Sequence, residues 1–148
     1  MPEFHTKAFD AQDVLTALLT SALAGTAWTV DYGLPPRREE QHIWVDESIK
    51  PWKQDPYTEG LESKIETFTL HVAIYSKRTC SSALETRAEI KAAADVIASA
   101  IASDQFLGGV VMYASITGAD YDSAFADAEG QSREGLMELD ISCEAFLG

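Results

Sequence analysis

Cysteine is scarce in this chain of 148 residues: Cys80 and Cys143 are too few for a disulfide framework, so the fold must hold without one. No apolar run approaches the roughly 18 residues that a membrane-spanning helix requires. The opening residues Met1-Pro2-Glu3-Phe4-His5 have no basic stretch followed by an apolar one. No signal peptide is therefore expected, and a reducing, cytosolic site of synthesis is. Basic residues are few: 11 Lys and Arg stand against 24 Asp and Glu, a net charge of −13. Nucleic acid is held by neutralising phosphates and releasing their counterions, which a chain this acidic does badly. Neither sequence-specific nucleic-acid binding nor a membrane partner is expected. The plain alternative is that the acidity serves only solubility.

Signatures of chemistry are missing too. The chain has no Gly-rich phosphate loop, no His-Glu-x-x-His, no Gly-x-Ser-x-Gly and no Cys-x-x-Cys. His5, His42 and His71 are scattered over a tail and two strands, which is no metal-ligand spacing. The run from Asp120 to Gly130 fails the calcium-loop pattern, with Ala124 where an oxygen ligand belongs and Phe125 where Gly belongs. Cys80 precedes a helix whose dipole lowers a thiol pKa, yet its plainer reading is an incidental surface cysteine. Cys143 has core parity and reads as a small hydrophobe. No enzyme, no cofactor and no metal site is expected.

What is present is a globular pattern, 46% hydrophobic. Val14, Leu15, Leu18, Leu19, Ala22 and Leu23 share one helical stripe over residues 12–24, with Asp10 as the expected N-cap and Gly25 as the stop. Trp28 to Tyr32 reads as a short strand, broken by Gly33-Leu34-Pro35-Pro36, and 41–48 as a second. Residues 49–63 show turn formers and no period, so they read as a long loop. A long strand follows, with Glu66, Phe68, Leu70, Val72 and Ile74 on the core face.

Ser82 and Glu85 form a capping box for an Ala-rich helix running to Ser103. Residues 110–117 are expected as strand, 118–133 as an acidic loop and 135–146 as the final strand. In that last strand Met137, Leu139, Ile141, Cys143 and Ala145 alternate with polar residues. The order α-β-β-β-α-β-β makes an α+β domain: a largely antiparallel or mixed sheet of about five strands, two helices on one face. One domain, 1–148, is expected, with a flexible tail 1–9 and the loop 49–63.

Within that loop Trp52 and Tyr57, preceded by Arg37 and Arg38, are the residue types enriched at interface hot spots. They are the candidate partner contacts. The alternative for Trp52 is that it folds back over the sheet edge.

The succession of elements resembles the tail terminator family of long-tailed bacteriophages. The likeness covers about residues 12–147 and is carried by the Leu-rich first helix, Val30-Asp31-Tyr32-Gly33 with the prolines, and Ile43-Trp44-Val45. It continues with the strand around Glu66-Thr67-Phe68-Thr69-Leu70-His71-Val72, the Ala-rich helix, Phe106-Leu107-Gly108-Gly109 and Leu136-Met137-Glu138-Leu139-Asp140-Ile141. The resemblance implies a structural virion protein at the tail–neck junction that caps the tail tube and joins it to the head–neck connector. It also implies a homo-hexameric ring through whose channel DNA passes. Asp120, Asp122, Asp127 and Glu129, with the polar face of the last strand, are then candidates for the channel wall. Other phage neck or minor tail proteins of the same fold, and a non-viral small-molecule binding module, are the alternatives.

Overall fold

The computed structural model describes residues 4–56, 64–79, 82–125 and 132–147. In chain order these form α1 (Ala8–Ala22), β1 (Thr29–Tyr32), β2 (Gln41–Val45), β3 (Trp52–Pro56), β4 (Lys64–Thr79), α2 (Ala83–Ser103), a 3-10 turn (Leu107–Gly109), β5 (Tyr113–Phe125) and β6 (Ser132–Leu147). The six-stranded sheet has the order β1-β2-β4-β6-β5, and β3 pairs with β4 beside β2. Among the described residues only the β1–β2 pairing is parallel. The α+β architecture is the one expected, with one strand more.

The apolar period decides which sheet face is covered. Phe68, Leu70, Val72 and Ile74 of β4 and Leu139, Ile141, Cys143 and Ala145 of β6 are buried against Leu15 and Leu19 of α1 and Ile90, Ala93, Ile97 and Ile101 of α2. Gly135 lies tight under α2: a Cβ there would lie 2.7 Å from Ile90 Cδ1 and 2.9 Å from Thr86 Cγ2. Gly33, at φ +82, turns the chain out of β1, and its N–H donates to the Val45 carbonyl at 2.7 Å. The uncovered face carries Thr, Ser, Asp and Glu, as expected, and also a small apolar cluster of Trp44, Ala73 and Tyr75.

Helix α2 has the expected boundaries, with Ser82 Oγ accepting the Glu85 N–H at 3.1 Å. Helix α1 differs. It starts at Ala8 with no side chain of its N-cap residue, Lys7, bonded to the first turn, so Asp10 is a first-turn residue rather than the cap. Its buried stripe runs Ala8, Ala11, Gln12, Leu15, Leu19. Ala8 and Phe9, within the expected tail 1–9, belong to α1, and Thr6 and Lys7 before them are hydrogen-bonded to Glu66.

The expected loop 49–63 holds strand β3. Its Trp52 and Gln54 lie opposite Phe68 and Glu66, while Lys53 and Asp55 point to the other face. Four residues between Pro51 and Pro56 make a strand only because β4 supplies the ladder, and Pro56, its last residue, is tolerated at a margin that needs no further donor. The expected loop 118–133 is corrected likewise: β5 runs to Phe125 and β6 starts at Ser132, a residue-by-residue antiparallel pairing from Gly118–Asp140 to Phe125–Arg133. Apart from Tyr121 and Phe125, residues 118–125 are poor strand formers that a cross-strand partner holds extended.

Leu139 is 4% exposed within this core. Leu139→Ala is expected to cost about 2–5 kcal/mol in urea denaturation. An unchanged midpoint would mean that β6 presents its other face inward.

Candidate interaction site

The sheet margin at β3 is organised by a carboxylate. Glu66 has the core parity of β4 and is fully buried. Its Oε2 accepts from Thr6 Oγ1 at 2.7 Å, Gln54 Nε2 at 2.8 Å and Trp52 Nε1 at 2.9 Å, and its Oε1 from the Lys7 N–H at 2.8 Å. Burial pushes the carboxyl pKa up, but the bonds from Gln54, Thr6, Lys7 and Trp52 outweigh it and hold the group below its ordinary value. The Lys7 bond places a negative charge at the start of α1, where the dipole favours one.

Trp52 is thus folded back over the margin, packed against the core and hydrogen-bonded. Around it stand Phe9, edge-on at 5.6 Å between centroids, and Phe4, tilted at 5.8 Å. Phe9 and Phe4 are 53% and 69% exposed, so the aromatic surface belongs mainly to residues that the sequence reading passed over. Glu66 itself was the available signal: an acid at core parity must find donors.

The remaining partner-contact candidates are not assembled with Trp52. Arg38 lies on the opposite sheet face, its guanidinium carbon 5.4 Å from the Trp44 ring centroid and 5.0 Å from that of Tyr75. Tyr75 and Phe68 are seven positions apart on β4, about 23 Å at the usual rise. The Tyr75 hydroxyl donates to Glu134 Oε2 at 2.8 Å. Burial, then that bond and the Glu134 charge, push its pKa up to about 12 against an opposing pull from Arg38. Arg38 therefore pins the 33–40 connection over the small aromatic cluster. Arg37 is exposed. Tyr57 lies outside the described residues.

The open face of β5 and β6 gathers carboxylates. Asp120 stands directly opposite Glu138, Asp122 opposite Leu136, Ala124 opposite Glu134, and Tyr113 opposite Glu144. Asp120 and Asp122 are exposed. A directly opposed like-charge pair costs a sheet roughly 0.2–1 kcal/mol. Asp140, on the same face, is bonded to His71 Nδ1 at 2.8 Å, while His71 Nε2 reaches the Lys50 carbonyl at 2.9 Å. Asp127 and Glu129 lie outside the described residues, as does Cys80. No group of three or more His, Cys, Asp or Glu able to hold a metal occurs among the described residues.

The His42 imidazole and the Cys143 thiol are structural. Buried His42 accepts the Glu39 N–H at Nδ1 (2.9 Å), which leaves Nε2–H to donate to Asp31 Oδ2 at 2.6 Å. Burial pushes the Cys143 thiol up to about 12, which keeps it protonated.

A folded-state pKa below the ordinary 4.5 means that Glu66 stabilises the fold above that pH. That contribution is lost as pH falls through the folded value. Glu66→Gln should cost about 2 kcal/mol at pH 7 and should flatten the loss of stability below the ordinary carboxyl pKa. Parallel stability–pH curves for both proteins would contradict this role. Trp52→Ala should lower stability by about 3 kcal/mol; an unchanged denaturation midpoint would return Trp52 to the status of a free surface anchor.

No protein-family model matches the chain, and no curated protein matches it. Among solved structures it is similar to a chain in the structure titled "Virion of native gene transfer agent (GTA) particle", with a TM-score of 0.46 and 11% identity, covering 95% of this chain and 94% of that one. A likeness of that degree carries no functional assignment.

Proposed function

We propose that this protein is a tail terminator: a structural virion protein that caps a phage tail tube, ends its polymerisation and presents the joining surface to the head–neck connector. The observation that carries the reading is the carboxylate face. Asp120 and Asp122 of β5 share one face of the sheet with Glu134, Glu138, Asp140 and Glu144 of β6. The order of helices and strands also agrees with the sequence resemblance.

In this reading six copies form a ring with the open sheet face toward the channel. DNA adheres to proteins mainly through phosphate contacts, so a carboxylate wall denies it a foothold. Screening confines the repulsion to about 8 Å at physiological salt. The wall then acts as a non-stick lining that does not stop a driven chain. Asp127 and Glu129 lie outside the described residues and are proposed for the same lining on their sequence position between Asp122 and Glu134. The partners are other copies of the chain, the tail tube protein and the connector; DNA passes through unbound.

The test is a phage lacking this protein, complemented by wild type or by the triple variant Asp120→Lys, Asp122→Lys, Asp127→Lys. Without the protein, tails should be of irregular length and unjoined in negative-stain images. The triple variant should restore ring-capped tails yet slow DNA ejection several-fold. Tails of normal length that join heads without the protein would defeat the terminator reading. Normal ejection through triple-variant rings would remove these residues from the channel.

A further inference from the structure

The two margins of the sheet are built differently. On one side β1 is four residues long and β3 five, ending in Pro56, and Gln54 reaches across to the His5 carbonyl at 2.8 Å. Short strands and proline are the ordinary devices that keep an edge from recruiting another strand. On the other side β5 has 13 residues, pairs only with β6 among the described residues, and contains no Pro, Lys or Arg. Its register is irregular between Ile116 and Gly118, but from 118 to 125 it is regular.

That regular run is two-faced. Asp120 and Asp122 are exposed on the open face, beside Glu138. Tyr121 and Phe125 point to the helix face and remain 38% and 59% exposed. Two copies pairing antiparallel along this run would bring both pairs of aspartates together next to two Glu138 side chains, and like charges so placed repel. The charge pattern thus rejects self-pairing and admits a strand of the opposite sign.

We propose that the outer edge of β5, residues 118–125, is a docking edge for an extended segment of a partner protein in which Lys or Arg alternates with apolar residues. Main-chain hydrogen bonds along the edge supply affinity, as in strand addition generally. The partner's cations face Asp120 and Asp122, and its apolar side chains cover Tyr121 and the part of Phe125 left open by Arg133, whose guanidinium carbon lies 4.2 Å from the Phe125 ring centroid. The inference does not rest on a ring or a channel, and it competes with the channel reading for Asp120 and Asp122: an edge occupied by a cationic segment leaves the wall to Glu134, Glu138, Asp140 and Glu144.

Two synthetic peptides test it on the full-length protein: one alternating Lys with Val and Thr, the other with Glu in place of Lys. Fluorescence anisotropy should show the Lys peptide binding tighter by about tenfold or more. The double variant Asp120→Lys, Asp122→Lys should invert the preference. Amide hydrogen exchange of the wild type should slow at 118–125 when the Lys peptide is added, a reading that does not require the variant to fold. Equal binding of both peptides, or slowed exchange confined to other strands, would overturn the proposal. So would slowing at 118–125 that rises with protein concentration alone, which would make a second copy the occupant.

Discussion

One buried carboxylate ties three separate pieces of chain together. Glu66 takes donors from the segment before α1 (Thr6 and Lys7) and from β3 (Trp52 and Gln54), and it belongs to β4 itself. An ionised carboxylate only accepts, so four donors converging on it satisfy the group without a counter-charge. Its burial is costly in isolation, and the hydrogen bonds offset that cost. The start of α1, the pairing of β3 and the seating of Trp52 all depend on this one acid, which is why none of them has a complete local signal.

The second constraint is the two-sidedness of the sheet. The helices seal one face with aliphatic side chains, so chemistry of any kind is left to the other face and to the margins. There Arg38 over Trp44 and Tyr75 closes a small aromatic cluster, and the β5–β6 half stays open and acidic. Arg38, a residue type at home in interfaces, is engaged within its own chain. The exposed aromatic surface around Trp52 falls instead to Phe4 and Phe9, which lie far from Trp52 in sequence and meet it because Glu66 draws the N-terminal segment onto β3.

The acidic residues show how a composition becomes a surface. A net charge of −13 says nothing about where the charge lies. The antiparallel pairing of β5 with β6 sets Asp120 against Glu138 and brings two runs of carboxylates, about 18 residues apart in sequence, onto one face. The same pairing turns an expected loop into an edge strand with a charged side and an aromatic side.

By itself the sequence determined the elements whose stabilisation is local and periodic. The alternation in β4 and β6, and the cap and apolar stripe of α2, predict their positions and their buried faces, because a half-buried strand or helix repeats its burial every second residue or every third to fourth. The opposite holds where the partner is remote. The start of α1 is held by an acid 59 residues away, β3 exists because β4 offers a ladder to a proline-bounded run, and residues 118–125 are extended because β6 pairs with them. Asp, Gly and Ala there carry no strand preference of their own, so only the tertiary structure, through main-chain hydrogen bonds to a neighbouring strand, decides their conformation.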